Sequence, residues 1–139
     1  MNTSTLQGST LTGANLATAN LIGLVSMGGA SGTPASLPPG WVIVDTYLLG
    51  PGVVLSGANL SGANLAGLNL SGAGTGGDGG GFDNVNLRGA NLTGVNFAGS
   101  SFRNVNFSGA TTTGATTTGA TWRNSTCPNG TSAKKTACF

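Results

Sequence analysis

The sequence has almost none of the side chains on which enzymes depend. Its 139 residues include no histidine and no glutamate, and its only acids are Asp45, Asp78 and Asp83. General acid–base catalysis, a nucleophilic triad and a glycosidase carboxylate pair each need titratable groups in sets that this chain does not contain. We therefore expect no enzyme activity, no cofactor and no small-molecule substrate.

Charge of either sign is also scarce. Charged residues make up 6% of the chain, with a formal net charge of +2. A nucleic-acid partner or an anionic membrane surface would require a denser positive patch. Asp78 and Asp83 flank a glycine-rich loop, but two carboxylates are too few for a calcium site, so we expect no bound metal. No apolar run reaches about 18 residues, which argues against a membrane span.

Cysteine occurs only twice, as Cys127 and Cys138 near the C-terminus. This pair favours a disulfide that closes a short C-terminal loop, with two separate buried thiols as the alternative. A disulfide would place the protein outside the cytosol, in the extracellular space or at the cell surface. The N-terminus shows no basic and apolar stretch of the kind that a signal peptide has.

What the chain does contain is a repeat of five residues, clearest between 81 and 130. A second period of twenty is superimposed on it, because Phe82, Phe102 and Trp122 are each followed by a charged residue and then by asparagine. Twenty residues built from units of five indicate a coil with four equivalent sides, and a fixed period of this kind is typical of solenoids. The strict spacing argues against disorder in this glycine-rich chain.

The bulky residue of each repeat is predicted to point into the solenoid and to stack on its equivalents in neighbouring coils. Glycine usually follows two residues later, where a turn needs a positive φ. The predicted inward residues are Leu6, Leu11, Leu16, Leu21, Leu55, Leu60, Leu65, Leu70, Phe82, Leu87, Leu92, Phe97, Phe102, Phe107 and Trp122. Cys127 takes the next inward position, and residues 128–139 are expected to fold over the open end as a cap.

The repeats SGANL at 56–60 and 61–65 and AGLNL at 66–70 resemble those of the pentapeptide-repeat family. The shared pattern is a small residue, asparagine or aspartate, leucine or phenylalanine, and two variable residues. The resemblance implies an all-β fold: a right-handed, four-sided parallel β-helix with one repeat per side. We expect residues 1–139 to form one such domain of about four to five coils.

Two segments interrupt the repeat. Residues 24–52 are predicted to be an insert, a loop followed by a β-hairpin, and residues 73–79 to be a glycine-rich loop. Simple counting places both at one corner of the helix, so that Leu6, Leu55 and Phe82 stack directly on one another.

The hairpin is too apolar to remain exposed. We expect it to cover either an outer face of its own helix or a neighbouring subunit. If it meets a neighbour, the candidate assembly contacts are Trp41, Ile43, Tyr47 and Leu49. Both arrangements stay open at this point.

These features favour a scaffold. The best-known role that the family resemblance suggests is DNA mimicry by a strongly acidic rod. This chain departs from that pattern, because asparagine or threonine precedes the inward residue and the net charge is positive. We expect a secreted or surface-displayed β-solenoid that assembles with copies of itself, with an extracellular filament as one form. The alternative is a protein-binding module of a bacterial surface protein. Arg103 and Arg123 would form a short basic ridge beside Asp83, as a solvated edge or a subunit contact.

Overall fold

The computed structural model describes residues 5–26, 28–73, 81–134 and 136–139. Every regular element in these ranges is a short strand, an isolated β-bridge or a turn, so the described chain is all-β. The strands are β1 (Val42–Val44), β2 (Tyr47–Leu49), β3 (Phe82–Asp83), β4 (Ser101–Arg103), β5 (Thr121–Arg123), β6 (Ser125–Thr126) and β7 (Ser132–Ala133). These ranges hold no helix with the length and apolar character needed to cross a membrane.

Parallel pairing at a spacing of twenty residues builds the C-terminal half of the molecule. β3, β4 and β5 form a parallel sheet in which Phe82 lies opposite Phe102, and Phe102 opposite Trp122. On the neighbouring side Asn86 pairs with Asn106. The twenty-residue period of the sequence is therefore the length of one coil.

We name the coils by the residues that stack. They are the first coil (5–24), the second coil (25–53), the third coil (54–73), the fourth coil (81–100), the fifth coil (101–120) and a final half-coil (121–130).

Most sides of the coils end in a turn whose backbone takes a positive φ, although Thr18 in the first coil does not. Glycine supplies it in most repeats, as at Gly89 and Gly94, where φ is 67°. On the side formed by β3, β4 and β5 asparagine takes over, with φ of 55° at Asn84 and 54° at Asn104. Glycine and asparagine are the residues that enter this region at least cost, which explains why both recur two residues after the inward position.

The asparagine that precedes an inward residue makes two kinds of hydrogen bond. Oδ1 of Asn91 accepts one from the backbone N–H of Thr93 at 3.1 Å, which closes the turn. Nδ2 of Asn91 donates to Oδ1 of Asn64 in the third coil at 3.0 Å. Asn86 donates in the same way to Asn59 at 3.0 Å. The asparagine side chains therefore form polar rows that tie neighbouring coils together.

The core is best packed in the third, fourth and fifth coils. Ten of the predicted inward residues are each at most 1% exposed: Leu55, Leu60, Leu65, Leu70, Phe82, Leu87, Leu92, Phe97, Phe102 and Phe107. Leu11 and Trp122 are also buried. In contrast, Leu6, Leu16 and Leu21 of the first coil are only half-buried. The core is thus dense from the third coil to Phe107, and less well buried among the described residues of the first coil.

The interpretation of residues 24–52 as an insert outside the coils is wrong. Val25 pairs in parallel with Thr5 in the first coil and with Val54 in the third. Two further parallel bridges continue along the same coil, between Ser31 and Thr10 and between Ser36 and Asn15. Most of the supposed insert is therefore a complete coil.

This coil was hidden because Leu37 is the only large apolar residue at its inward positions. Ser26, 5% exposed, lies between Leu6 and Leu55 in the stack, where the sequence predicted direct contact. Gly32 takes the next inward position, and an added Cβ there would lie 2.8 Å from the backbone nitrogen of Thr12. A repeat made of serine and glycine gives no five-residue pattern of bulky residues.

The true insertion is the hairpin of β1 and β2, which pair antiparallel. Its turn residues Asp45 and Thr46 have φ of 47° and 70°, as in the primed turns that match strand twist. Val25 and Val54 are 29 residues apart, against 20 for the regular coils. One of the nine additional residues precedes Ser31, where the spacing to the first coil is already 21, and the other eight lie between Ser36 and Val54, where the hairpin is inserted.

The hairpin fills the core that the second coil lacks. Gly50 holds the fourth inward position, since the N–H of Gly52 donates to the C=O of Ser71 in the third coil at 2.9 Å, as the N–H of Gly72 does to the C=O of Ala98. An added Cβ on Gly50 would lie 2.3 Å from the ring of Trp41. Trp41 thus occupies the space of the absent side chain, and Leu49 beside it is 0% exposed.

The two insertions do not share a corner, contrary to the prediction. The hairpin comes before the fourth side of the second coil, at Gly50, whereas the glycine-rich stretch 73–79 comes after the fourth side of the third coil, at Leu70. Of that stretch only Ala73 is described, and the loop predicted for 74–79 lies outside the described residues.

Candidate functional site

Two of the four hairpin residues predicted as assembly contacts are buried in the chain's own core. Trp41 and Leu49 are 8% and 0% exposed, so of the two arrangements left open by the sequence these residues take the one against the chain's own helix. Ile43 and Tyr47 are half-buried and pack against the same core. The hairpin covers its own helix because the second coil offers it an unfilled interior.

Tyr47 takes the place of a backbone group between coils. The N–H of Asn86 in the fourth coil donates to a backbone carbonyl of the third coil at 2.9 Å. The equivalent N–H of Asn59 in the third coil donates instead to the Tyr47 hydroxyl, at 3.2 Å. Thr46 holds the other end of the hairpin, because its hydroxyl accepts from the N–H of Gly29 in the second coil at 2.9 Å. The hairpin therefore links the second coil to the third.

Asp83 and Arg103 form an ion pair on the face of the β3–β4–β5 sheet, as the sequence predicts. Nε of Arg103 donates to Oδ1 of Asp83 at 3.1 Å, and a terminal guanidinium nitrogen donates to Oδ2. Asn84 donates to Oδ1 at 3.0 Å. The hydrogen bond to Asp83, followed by Coulomb attraction, raises the pKa of Arg103 above its ordinary value.

Arg123 continues the same column but has no acid beside it. It lies opposite Arg103 in β5, and its side chain is exposed. Among the described residues the ion pair of Asp83 with Arg103 is the only salt bridge. In the basic ridge, Asp83 thus neutralises the charge of Arg103, whereas no described acid neutralises that of Arg123.

The C-terminal residues close the end of the solenoid. Cys127 and Cys138 form a disulfide with a Cα–Cα distance of 5.1 Å, as predicted. β7 pairs antiparallel with β6, so the edge of β6 that a further coil would use is covered. The N–H of Cys127 donates to the C=O of Thr131 at 2.7 Å, which fixes the start of the returning chain.

The side chain of Phe139 closes the interior of the solenoid at its C-terminal end. Its ring centroid lies 5.5 Å from that of Phe107 and 5.4 Å from that of Trp122, edge-on in both cases. Thr117, one of the two threonines at inward positions of the fifth coil, donates its hydroxyl to the C=O of Phe139 at 3.1 Å. The aromatic stack therefore ends in a residue from the cap.

The first coil presents the opposite situation. In the fourth and fifth coils, the residue before an inward position donates its backbone N–H to the previous coil, as at Asn91 and Thr111, whereas Asn64 and Asn69 of the third coil have no such acceptor among the described residues. The equivalent N–H groups of Thr10, Asn15 and Asn20 have no acceptor within the described ranges. The half-buried leucines of the first coil lie beside these groups. We call this surface the open end.

The chain offers little for metal or acid–base chemistry. The described residues contain no cluster of three or more cysteine, histidine or acidic side chains that could hold a metal. Asp45 is exposed in the hairpin turn, and Asp83 is engaged by Arg103. Asp78 lies outside the described residues.

Comparison with known proteins gives the family. The model for pentapeptide repeats matches eight copies, at residues 51–73 and 82–116. Among solved structures, the chain is similar to HetL, a pentapeptide repeat protein involved in heterocyst differentiation regulation from the cyanobacterium Nostoc, with 24% identity and a TM-score of 0.43. That match covers 96% of this chain and 63% of HetL, so the chain spans less than two thirds of that structure. No protein of curated function matches the chain.

The stacked parallel coils and their turns define a β-solenoid. Residues 51–73 and 82–116 are pentapeptide repeats, as the sequence pattern predicts, and such repeats imply a right-handed β-helix.

Sequence reasoning missed the second coil and the role of Trp41. One signal was available, because a step of five from Leu21 reaches Ser26. Trp41 carried no such signal, since its place inside the solenoid depends on the missing side chain of Gly50. The arginine column, by contrast, follows directly from the twenty-residue period.

Proposed function

We propose that this chain is a non-enzymatic structural protein that self-associates through the open end of its first coil. The solenoid has five complete coils and a half-coil, carries one inserted hairpin, and is closed at the C-terminus by a disulfide-linked cap. The observation that carries the proposal is the contrast between the two ends as described, since Phe139 closes one and no described residue covers the other.

The open end combines the two properties that favour association. Leu6, Leu16 and Leu21 are half-buried, so covering them with a second copy removes apolar surface from water, at about 25 cal/mol per Å². The unpaired backbone groups of Thr10 and Asn15 form an edge with the spacing of a β-ladder.

A second copy is the occupant that fits this surface. The first coil, residues 5–24, contains no charged residue, so two copies meet there without electrostatic repulsion. The same edge and the same leucine spacing are present on the partner, as an isologous contact requires. We therefore expect two open ends to meet around a two-fold axis.

The closed C-terminal end favours a dimer over a filament. An open filament needs head-to-tail contacts, in which the open end of one copy would stack on the C-terminal end of the next. β7 and Phe139 occupy that end, and the disulfide from Cys138 to Cys127 ties them down. A filament would have to displace the cap.

The disulfide also supports an extracellular or cell-surface location. Disulfides persist in oxidising compartments and are rare in the cytosol. Intact-mass measurement after thiol alkylation, with and without prior reduction, tests this. Two alkylated cysteines without reductant, in protein made in an oxidising compartment, would contradict the proposed location.

Light scattering after size-exclusion chromatography tests the association. We expect twice the chain mass at about 100 μM protein and dissociation on dilution. Leu16→Asp should shift the equilibrium to monomer, because it places a charge in the contact. Ile22→Lys is the matched control, since Ile22 is 73% exposed on an outer side of the same coil. Circular dichroism must show that both variants are folded.

A wild-type monomer at every concentration would overturn the proposal, and fibres would replace the dimer by a filament.

A further inference from the structure

Of the two strands at the C-terminal end, the cap covers β6 and leaves the outer edge of β5 open. β5 is the last strand of the sheet β3–β4–β5. Within that sheet the N–H groups of Asn84 and Asn104 donate to the carbonyls of Arg103 and Arg123, each at 2.9 Å. The equivalent N–H of Asn124 has no acceptor in the part of the chain that the structure describes. An unpaired edge of this kind can receive an extended polypeptide as a further strand.

The charges of the sheet define which strand would fit. Asp83, Arg103 and Arg123 stand in register on one face. The carboxylate of Asp83 accepts two hydrogen bonds from Arg103 and is 9% exposed as a residue. Arg123 is exposed and has no such partner among the described residues. A carboxylate in the next strand would neutralise Arg123 as Asp83 neutralises Arg103.

The inward position of an added strand is already occupied. The Trp122 ring lies 4.4 Å from Phe102 on one side and 5.4 Å from Phe139 of the cap. Trp122 is 7% exposed, so little room remains above it. An incoming strand would therefore carry a small residue beside its acidic one, and side-chain recognition would come mainly from the charge.

We infer that the open edge of β5 and the side chain of Arg123 together form a docking site for a short, extended, acidic segment of another protein. The backbone of the segment would accept hydrogen bonds from Trp122 and Asn124, and its carboxylate would pair with Arg123.

A second copy of the chain does not supply this segment from its described acids. Asp83 is already paired, and Asp45 lies in a tight turn with φ of 47° rather than in an extended strand. The site is also at the opposite end of the solenoid from the open end. Self-association and docking can therefore succeed or fail independently.

Peptide binding tests the inference. The probe is a fluorescein-labelled heptapeptide, Thr-Ser-Ala-Asp-Asn-Val-Ser, and its matched control carries asparagine in place of aspartate. We expect saturable binding by fluorescence anisotropy with a dissociation constant below about 1 mM. Arg123→Gln should weaken binding of the acidic probe about fivefold and leave the control peptide unchanged. Arg88→Gln removes an exposed arginine from another side of the helix and should have no effect.

Amide exchange by NMR separates strand addition from simple charge attraction. The acidic probe should slow exchange at Trp122 and Asn124, and the Asp-to-Asn control should do so less. Any of three results would contradict the docking site: no binding at about 1 mM, equal binding by Arg123→Gln, or probe binding without amide protection. Displacement of the probe by inorganic phosphate at constant ionic strength would likewise overturn it, because it would indicate a general anion site. A change in oligomeric state on Arg123→Gln would assign the edge to self-contact instead.

Discussion

The fourth and fifth coils and the second coil reach the same stacked shape with different cores. In the fourth and fifth coils every inward position except two threonines is a leucine or phenylalanine, and the rings form one column around Phe102. In the second coil the inward positions include Ser26, Gly32 and Gly50, and Trp41 is supplied from the hairpin. The comparison teaches that the backbone ladder fixes the coil, while its interior can be filled from elsewhere in the chain.

The largest expected effect is removal of the ring at the centre of the regular coils. Phe102 is 1% exposed, and its ring lies within 5.3 Å of four other aromatic rings. Phe102→Ala should lower the free energy of unfolding by about 3–5 kcal/mol, through lost burial and the remaining cavity. Denaturant unfolding measures this loss. Leu16→Ala, at a half-buried position of the first coil, should cost less than half as much, and an equal cost would contradict the contrast between the two regions.

The next effect tests whether the hairpin is core. Trp41→Ala should lower the free energy of unfolding by about 3 kcal/mol, because Gly50 has no side chain to fill the space. The comparison is with Trp41→Phe, which keeps most of the ring volume and should cost about half as much. A loss below about 0.5 kcal/mol for Trp41→Ala would show that the ring is a surface residue and that the second coil is hollow.

A smaller effect is expected for the Tyr47 hydroxyl, which takes the place of a backbone carbonyl as hydrogen-bond acceptor. Tyr47→Phe removes the bond to the N–H of Asn59 and should cost about 1 kcal/mol in unfolding free energy. Hydrogen exchange should quicken at Asn59, whereas Asn86, which donates to a backbone carbonyl, should be unaffected. Unchanged exchange at Asn59 would mean that the hydroxyl is not its acceptor.

The smallest effect is expected when the second coil is made regular. Deletion of 41–48 shortens the 29-residue spacing between Val25 and Val54 to 21, the spacing that Ser31 and Ser36 already have to Thr10 and Asn15 of the first coil. Combined with Gly50→Leu, it also restores an inward side chain in place of Trp41. The variant should fold with a stability within about 1 kcal/mol of the wild type, by thermal unfolding. The deletion without Gly50→Leu is the control and should be less stable, because it leaves the cavity. Unfolding of both variants would make the hairpin an essential part of the second coil.

The sequence predicts the regular half well because its repeat is visible in single residue types. Phe82, Phe102 and Trp122 recur every twenty residues, and that period alone placed the pair of Asp83 and Arg103 one coil apart. The second coil could not be predicted in the same way. Its ladder is made by backbone groups at Val25 and Ser31, and backbone bonding is indifferent to the side chains that a pattern search reads.

The candidate binding surfaces likewise include one feature that the sequence predicts and one that it does not. The cap was predictable, since Cys127 falls on an inward position and Cys138 follows closely. The contacts of the hairpin were not predictable. An apolar strand pattern indicates that residues are buried, but it does not indicate which surface they pack against. Burial of Trp41 and Leu49 depends on a vacancy that only the assembled coils create.

By itself, the sequence determined the coil length, the inward residues of the regular coils, the polar asparagine rows and the shortage of catalytic groups. These follow from a local period, in which each residue's role repeats at fixed spacing. Only the tertiary structure decided that the chain has one more coil, that a tryptophan from the hairpin completes it, and that the two ends differ in closure. Those outcomes depend on contacts between residues far apart in the chain, where volume must be filled and backbone groups must find partners, whatever the local pattern.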